Sequence, residues 1–146
     1  MSSAIRILLV DDHPIVRDGL RLFLSQRADF TLVGEAGAGP EAVAQATVLR
    51  PDLVLLDIDL PGINGVEAAR QIRAATPRTR ILVLAGEADP WTVREALAAG
   101  ANGYLVKTSA AAELERAIAA VQRGELYLCG RAAAALQRAE PIGSRA

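Results

Sequence analysis

Acidic side chains follow two short apolar runs of the sequence, and a lysine follows a third. These residues are Asp11, Asp12, Asp57, Asp59 and Lys107. Crowded carboxylates repel one another unless a cation relieves them, and Mg²⁺ binds one or two protein carboxylates together with phosphate oxygens. A carboxylate oxygen can attack phosphorus in line while a metal and a lysine neutralise the phosphoryl charge. Brought together, these residues could accept a phosphoryl group.

Whether they come together depends on the strands that carry them. Apolar runs alternate with helical patterns along the chain, which is typical of βαβ units around a parallel sheet. The five predicted strands are Ile5–Val10, Phe30–Glu35, Leu53–Leu56, Arg80–Leu84 and Gly103–Val106. Four of them are almost continuously apolar, as strands covered on both faces should be, whereas the second alternates as an edge strand does.

Five helical patterns complete this alternation, so the sequence predicts an α/β fold of the flavodoxin-like (βα)5 type. Its five-stranded parallel sheet has helices on both faces. The carboxyl ends of parallel strands meet at one edge, where such folds bind their ligands. Aspartates after a strand are common turn formers, and a single pair would be weak evidence. Loop chemistry alone does not require acids and a lysine at the ends of three strands, so this arrangement favours a phosphoryl site.

The segment after Gly124 does not continue the repeat. Leu126-Tyr127-Leu128 is followed by an alanine-rich stretch over 131–139 and then by a segment from Pro141 to Ala146. We expect a short C-terminal helix that runs into a flexible end. The predicted organisation is a domain over 1–124 and an extension or linker over 125–146.

Composition narrows the class of protein. The 146 residues are 51% hydrophobic, enough for one domain with a sizeable core. The net charge is −1, with no basic stripe, so we expect no direct contact with nucleic acid. One cysteine, Cys129, cannot form an internal disulfide. The N-terminal segment lacks a basic leader, and its apolar run is far shorter than the roughly 18 residues needed to span a bilayer. We therefore expect a cytoplasmic protein with no membrane contact.

Three segments of the sequence resemble the receiver domains of two-component response regulators, over roughly residues 4–124. They are LLVDDHPIVRDGL, DLVLLDIDLPGINGVEAARQIR and ILVLAGEADPWTVREALAAGANGYLVK. DDHPIVRDGL and RGELYLCGRAAAAL also resemble the NarL/FixJ subfamily, whose receivers precede a LuxR-type helix-turn-helix output domain. Each segment alone would be weak, whereas together they are highly specific.

The resemblance implies a role for each residue at the predicted edge. Asp57 is the phosphoacceptor. Asp12 and Asp57 supply carboxylates to Mg²⁺, with Mn²⁺ as an alternative, while Asp59 contributes its main-chain carbonyl and Asp11 acts through water. Lys107 pairs with the phosphoryl group. The main-chain amides that approach the phosphoryl oxygens are those of Ile58 and Gly86, and the residues that shape the loop after the acceptor are Pro61 and Gly65.

Two positions concern how phosphorylation is transmitted. Tyr104 matches an aromatic residue that moves inward in phosphorylated family members; a half-buried ring with its hydroxyl in solvent is the alternative. Ala85 stands where the family has serine or threonine, whose hydroxyl turns toward the phosphoryl group. We therefore expect phosphorylation at Asp57 with weakened coupling to Tyr104. The alternative is that Ala85 merely packs.

His13 could suggest a phosphohistidine or a metal ligand, because it follows two aspartates. It also precedes Pro14 at the start of a helix. We therefore assign its side chain to capping or packing.

The resemblance implies a phosphoacceptor that takes its phosphoryl group from a sensor histidine kinase and is not an enzyme beyond assisting its own phosphorylation and dephosphorylation. A homodimer is expected, with DNA bound through a helix-turn-helix domain absent from this sequence. We favour a fragment of a transcription regulator over a stand-alone receiver. Two alternatives stay open: a phosphorylation-independent interaction module, and, more remotely, a Mg²⁺-dependent aspartyl-phosphate phosphatase suggested by Asp57-Ile58-Asp59.

Overall fold

Strands and helices alternate along the chain as expected. The computed structural model describes residues 4–109 and 111–144, with side chains as far as residue 138. Its strands are β1 (Ile5–Val10), β2 (Phe30–Ala36), β3 (Leu53–Asp57), β4 (Arg80–Ala85), β5 (Gly103–Val106) and β6 (Tyr127–Leu128). Its helices are α1 (Pro14–Ser25), α2 (Gly39–Leu49), α3 (Gly65–Ala75), α4 (Pro90–Ala98), α5 (Ala111–Gln122) and α6 (Gly130–Ser144).

All strands pair in parallel in one sheet, in the order β2-β1-β3-β4-β5-β6. β3 and β5 are buried along their whole length, because helices cover both faces of the sheet. β2 lies at one edge, which confirms the prediction from its alternating pattern. The strand order changes direction between β1 and β3. This switch point opens a crevice at the carboxyl ends of these two strands, which end at the predicted acidic residues.

Within the described residues the sheet has six strands, so the prediction of five was wrong. β6 contains two residues, and Tyr127 and Leu128 pair with Gly103 and Tyr104 of β5. The main-chain N–H groups of Tyr127 and Cys129 donate to the carbonyls of Asn102 and Tyr104, at 3.1 and 3.0 Å. Periodicity cannot reveal a strand this short, because two residues show no alternation.

The helices form two layers. α2, α3 and α4 pack in succession on one face, and α6 continues that layer against α4. On the other face, the ion pair between Arg27 and Glu115 links the segment after α1 to α5. Among the described residues, no helix is both long and apolar enough to cross a membrane.

The C-terminal helix is longer than predicted. α6 runs from Gly130 through Ser144 and includes residues 141–144, where a flexible end was expected; residues 145 and 146 lie outside the described part. The alanines between 132 and 139 favour the helix over that stretch, whereas helix propensity does not explain the extension over 141–144, which contains Pro141 and Gly143. Cys129, Ala132 and Ala135 are buried, so the segment packs on the rest of the domain. A functional boundary at residue 124 stays a prediction.

Local signals begin the helices that flank the crevice. Proline occupies the first turn of α1 and of α4, where its missing N–H costs nothing. The side chain of Asn64 accepts the N–H of Glu67 at 2.9 Å, and the side chain of Asp89 accepts the N–H of Thr92 at 3.0 Å. These caps satisfy N–H groups at the starts of α3 and α4. The loops after β3 and β4 are thereby fixed at the points where α3 and α4 begin.

Glycine is required at position 65 because the start of α3 lies very close to the main chain at the end of β3. The N–H of Gly65 donates to the carbonyl of Ile58 at 2.9 Å. A Cβ at this position would lie 2.4 Å from Cα of Ile58 and 2.7 Å from the carbonyl oxygen of Asp57. Main-chain atoms cannot yield as a flexible side chain can, so only glycine lets α3 begin this close to the end of β3.

A Gly65→Ala substitution is expected to lower the free energy of unfolding by about 1–3 kcal/mol, because the added methyl group overpacks a fixed backbone. Gly19→Ala is the matched control. Gly19 lies within α1, and its Cβ would meet nothing within 4 Å. Alanine there should stabilise the protein by about 0.5–1 kcal/mol. Urea unfolding of both variants measures the difference, and equal effects would contradict the close-approach account.

Candidate functional site

β1 delivers two aspartates to the crevice. The main-chain N–H of Asp11 donates to the carbonyl of Ala36 at 3.0 Å, so the ladder with β2 continues one residue past the strand. The side chain of Asp11 is completely buried, and its Oδ1 accepts the N–H of His13 at 2.8 Å. Its Oδ2 and Oδ1 of Asp12 are buried without a hydrogen-bond partner among the described residues.

β3 delivers Asp57 at its last position. Asp57 lies opposite Leu84 of β4 and is completely buried. Its Oδ2 accepts the Nζ of Lys107 at 2.9 Å, and its Oδ1 accepts the main-chain N–H of Asp59 at 2.9 Å. A buried carboxylate is stable only when its charge is compensated in this way. Lysine and aspartate therefore meet from β5 and β3, as the strand ends predicted.

The amide that faces Asp57 is not the predicted one. The N–H of Ile58 donates to the carbonyl of Leu84 at 2.9 Å and continues the β3–β4 ladder. That N–H is therefore occupied in this structure, and the N–H that donates to the Asp57 carboxylate is the one of Asp59. The alternation of a strand explains the difference, because successive N–H groups point to opposite sides. The sequence pattern did not show that β3 pairing extends one residue past Asp57.

Lys107 is held by main chain and side chain. Its N–H donates to the carbonyl of Ala85 at 2.7 Å, just after β5 ends. Its Nζ lies 3.7 Å from Oδ2 of Asp11, beyond hydrogen-bond length. Burial lowers the pKa of Lys107, but the hydrogen bond and charge of Asp57 outweigh this effect and keep the pKa above its ordinary value. The ammonium group is therefore charged at neutral pH.

Asp11, Asp12 and Asp57, which we call the acidic cluster, could hold a cation. One oxygen from each lies within 4.8 Å of the others and of a ring nitrogen of His13. Lys107 compensates one carboxylate, whereas two buried oxygens have no hydrogen-bond donor. Hard oxygen ligands in an open cluster suit Mg²⁺, which keeps several waters. The residues present therefore fit the predicted metal.

His13 neither caps a helix nor packs in the core, so that assignment was wrong. It occupies the N-cap position of α1, but its side chain accepts no helix N–H. The side chain is 56% exposed, and Nδ1 lies 3.1 Å from Oδ1 of Asp12. The signal was its position directly after two aspartates, which the sequence interpretation had set aside in favour of Pro14.

The β4–α4 loop forms the other wall of the crevice. Ile58, Asp59 and the segment from Ala85 to Glu87 line a cavity of about 290 Å³, together with Asp89 and Thr92. Ala85 is buried and presents only a methyl group. A Cβ on Gly86 would meet only Oδ2 of Asp59, at 3.9 Å, so the approach to its main chain is open.

Tyr104 connects this loop to the edge of the sheet. The residue is completely buried, which contradicts the alternative of a half-buried ring with a solvated hydroxyl. The hydroxyl donates to the carbonyl of Glu87 at 2.8 Å. Burial, together with the charges of Asp89 and Asp59, raises the pKa of Tyr104 above its ordinary value. The sequence gave no sign of Glu87 as the partner, because a main-chain acceptor leaves no residue signature.

Comparison with known proteins identifies the family. The family model described as the response regulator receiver domain matches residues 7–119. The chain is 42% identical over 121 residues to the uncharacterized transcriptional regulatory protein YxjL of Bacillus subtilis (strain 168), a match that covers 83% of this chain and 56% of that relative. This chain therefore spans just over half of YxjL.

Solved structures agree with the family model. A LuxR-family two-component response regulator from Aurantimonas sp. SI85-9A1 has a TM-score of 0.89 at 38% identity, over 94% of this chain and 99% of that one. The isolated REC domain of RcsB from Salmonella enterica serovar Typhimurium, solved in the presence of phosphomimetic BeF3⁻, has a TM-score of 0.83 at 26% identity, over 92% and 99%. The chain belongs to the response regulator receiver domains, and its relatives are regulators of the LuxR/NarL type.

Proposed function

We propose that Asp57 accepts a phosphoryl group from a sensor histidine kinase and that the receiver relays this event to a transcriptional output domain. The observation that carries the proposal is the environment of one buried carboxylate. Lys107 holds one oxygen of Asp57 at 2.9 Å, and the main-chain N–H of Asp59 holds the other at 2.9 Å. Asp11 and Asp12 lie beside it with buried oxygens that a cation would satisfy.

In the proposed transfer, an oxygen of Asp57 forms a bond to phosphorus while the bond between phosphorus and the kinase histidine nitrogen breaks. The electron pair stays on that nitrogen, which then takes a proton. Lys107 leaves Asp57 and binds a phosphoryl oxygen, so its charge stays compensated throughout. The N–H groups of Asp59 and Gly86 donate to further phosphoryl oxygens, with Asp59 in the role first assigned to Ile58. Positioning and charge stabilisation supply the rate.

The chain's carboxylates would hold Mg²⁺ or Mn²⁺ at the acidic cluster. Asp12 and Asp57 would be direct ligands, Asp11 would act through water, and Asp59 would contribute its main-chain carbonyl. When bound, the metal neutralises charge on the phosphoryl oxygens. The same parts assist loss of the phosphoryl group to water, and no other substrate is turned over. The phosphatase alternative has no further support from the site.

Relay to the output is the step that Ala85 weakens. A hydroxyl at this position would bind a charged phosphoryl oxygen and contribute about 1.5–3 kcal/mol. A complete shift between two conformers, from 1:99 to 99:1, needs about 5.5 kcal/mol. Ala85 therefore removes a large part of the driving force but leaves phosphorylation possible. It is also the observation that favours the second candidate, a receiver that acts as an interaction module without this switch.

The partners follow from the relatives. YxjL is described as a transcriptional regulatory protein, and RcsB has been solved as two dimers bound to two parallel DNAs. We propose a homodimer that reaches DNA through a helix-turn-helix domain, in the cytoplasm, where the kinase presents its phosphohistidine. The chain carries a net charge of −1, which argues against direct binding of DNA by this chain.

Incubation with acetyl phosphate and Mg²⁺ is expected to add the mass of one phosphoryl group to the protein, and Asp57→Asn should abolish this addition. The amide cannot form the acyl phosphate. Asp18→Asn is the control, because Asp18 is 66% exposed on α1 and lies outside the acidic cluster. Intact-protein mass spectrometry measures the product. Equal phosphorylation of the Asp57 variant would refute the proposal, and no Asp57-dependent change with any donor would favour the interaction module.

Ala85→Thr is expected to strengthen the response of Tyr104 and α4 to beryllofluoride. The cavity beside Ala85 leaves room for the hydroxyl. The ratio of switched to unswitched conformers should rise about tenfold or more. Ala85→Val is the matched control, because valine has the shape of threonine without its hydroxyl. Amide chemical shifts, recorded with and without beryllofluoride, report the change, and identical responses of both variants would show that the hydroxyl is irrelevant.

A further inference from the structure

We propose that His13 is a nitrogen ligand of the metal at the acidic cluster, and that it shifts the preference of this site from Mg²⁺ toward divalent transition metals that accept imidazole, such as Co²⁺ and Fe²⁺. The inference rests on the metal site of the proposed function. It adds a fourth side chain to that site and a metal selectivity.

The separations between donor atoms carry the proposal. Nδ1 of His13 lies 3.1 Å from Oδ1 of Asp12, 3.3 Å from Oδ1 of Asp11 and 3.7 Å from Oδ2 of Asp57. Neighbouring ligands of an octahedral metal with bonds of about 2.1 Å stand about 3.0 Å apart. The ring nitrogen is therefore placed as a neighbour of three carboxylate oxygens around one small cation. All three separations are measured to the same ring nitrogen.

The local chain holds the ring in this position. The residue before a proline is disfavoured in the helical region, and His13 has an extended backbone with φ −97° and ψ 109°. Its N–H donates to Oδ1 of Asp11 at 2.8 Å, which ties the residue to the cluster. The segment Asp-Asp-His-Pro thus places two carboxylates and an imidazole on one side of a short turn before α1 begins.

Charge explains why a cation belongs between these groups. Three carboxylates face one ammonium group, and Lys107 is within hydrogen-bond distance of Asp57 only. Oδ2 of Asp11 and Oδ1 of Asp12 are buried without a donor. A neutral imidazole would add the lone pair of Nδ1 to these negatively polarised atoms. A divalent cation gives these groups a favourable partner, with Asp12, Asp57 and His13 bound directly and Asp11 through water.

Ligand type then determines selectivity. Mg²⁺ is a hard cation that prefers oxygen and dehydrates reluctantly, so an imidazole adds little to its binding. Imidazole suits Fe²⁺, Ni²⁺ and Zn²⁺, and affinity for a nitrogen-containing site rises along the first transition series from Mn²⁺ to Cu²⁺. A site with one imidazole among carboxylates therefore favours binding of these metals over Mg²⁺ more strongly than a site made of oxygen ligands alone.

The test compares Co²⁺ and Mg²⁺ binding to the full chain, with His13→Ala and His13→Asn, by isothermal titration calorimetry. The alanine variant should lose affinity for Co²⁺ by about tenfold or more, since loss of even an outer-shell partner costs about that much. Its affinity for Mg²⁺ should stay nearly unchanged. Asparagine can place an amide oxygen near the position of Nδ1, so it should keep Mg²⁺ binding and lose the preference for Co²⁺.

A spectroscopic signature separates direct ligation from an indirect effect. Coordination through Nδ1 leaves a proton on Nε2, and paramagnetic Co²⁺ should shift that exchangeable proton far outside the normal NMR range. The signal should be absent from both His13 variants. Ile15→Ser is the matched control, because Ile15 is 87% exposed and two residues beyond His13. It should keep the signal and both affinities.

The outcomes distinguish this inference from the proposed function. Equal Co²⁺ affinity in the parent and in His13→Ala, or equal losses for Co²⁺ and Mg²⁺, would overturn the ligand role of His13 while the metal site stands. Binding of neither metal to the parent, or binding that survives unchanged in Asp12→Asn, would overturn the metal site and the inference together. Selective loss of Co²⁺ together with loss of the shifted proton would support both.

Discussion

The carboxylate of Asp57 is buried at the end of β3, and the rest of the site depends on how that charge is compensated. It stands at the end of a strand whose other four residues are apolar and completely buried. The free-energy cost of burying an unpaired charge exceeds the net stability of a typical folded domain. Lys107 and the N–H of Asp59 therefore have to be in place, and the oxygens of Asp11 and Asp12 leave room for a cation nearby.

Parallel topology supplies these partners without any local sequence relationship. β1, β3 and β5 end on the same edge, so residues separated by about a third of the chain become neighbours. The loop after β3 is then fixed where α3 begins, by the cap at Asn64 and the close approach at Gly65. The strands determine where the groups stand, and the caps determine how little they move.

Much of this arrangement could be predicted from the sequence, because it depends on patterns that run along the chain. Apolar runs located the five long strands and the edge position of β2, and the chemistry of the strand ends located Asp57 and Lys107. What could not be predicted depends on main-chain pairing. The two residues of β6, the occupied N–H of Ile58 and the carbonyl of Glu87 are all set by hydrogen bonds between backbone atoms, which carry no residue signature. His13 was misassigned because its neighbour Pro14 offered a simpler explanation.

Tyr104 is hydrogen-bonded to two segments that are far apart in sequence. Its hydroxyl is bound to the carbonyl of Glu87 just before α4, and its own carbonyl is bound to the N–H of Cys129 just before α6. α6 also packs against α4, so Tyr104, α4 and α6 are connected to one another by contacts. A displacement of the loop before α4 would therefore act on α6 at two contacts, through Tyr104 and through α4 itself.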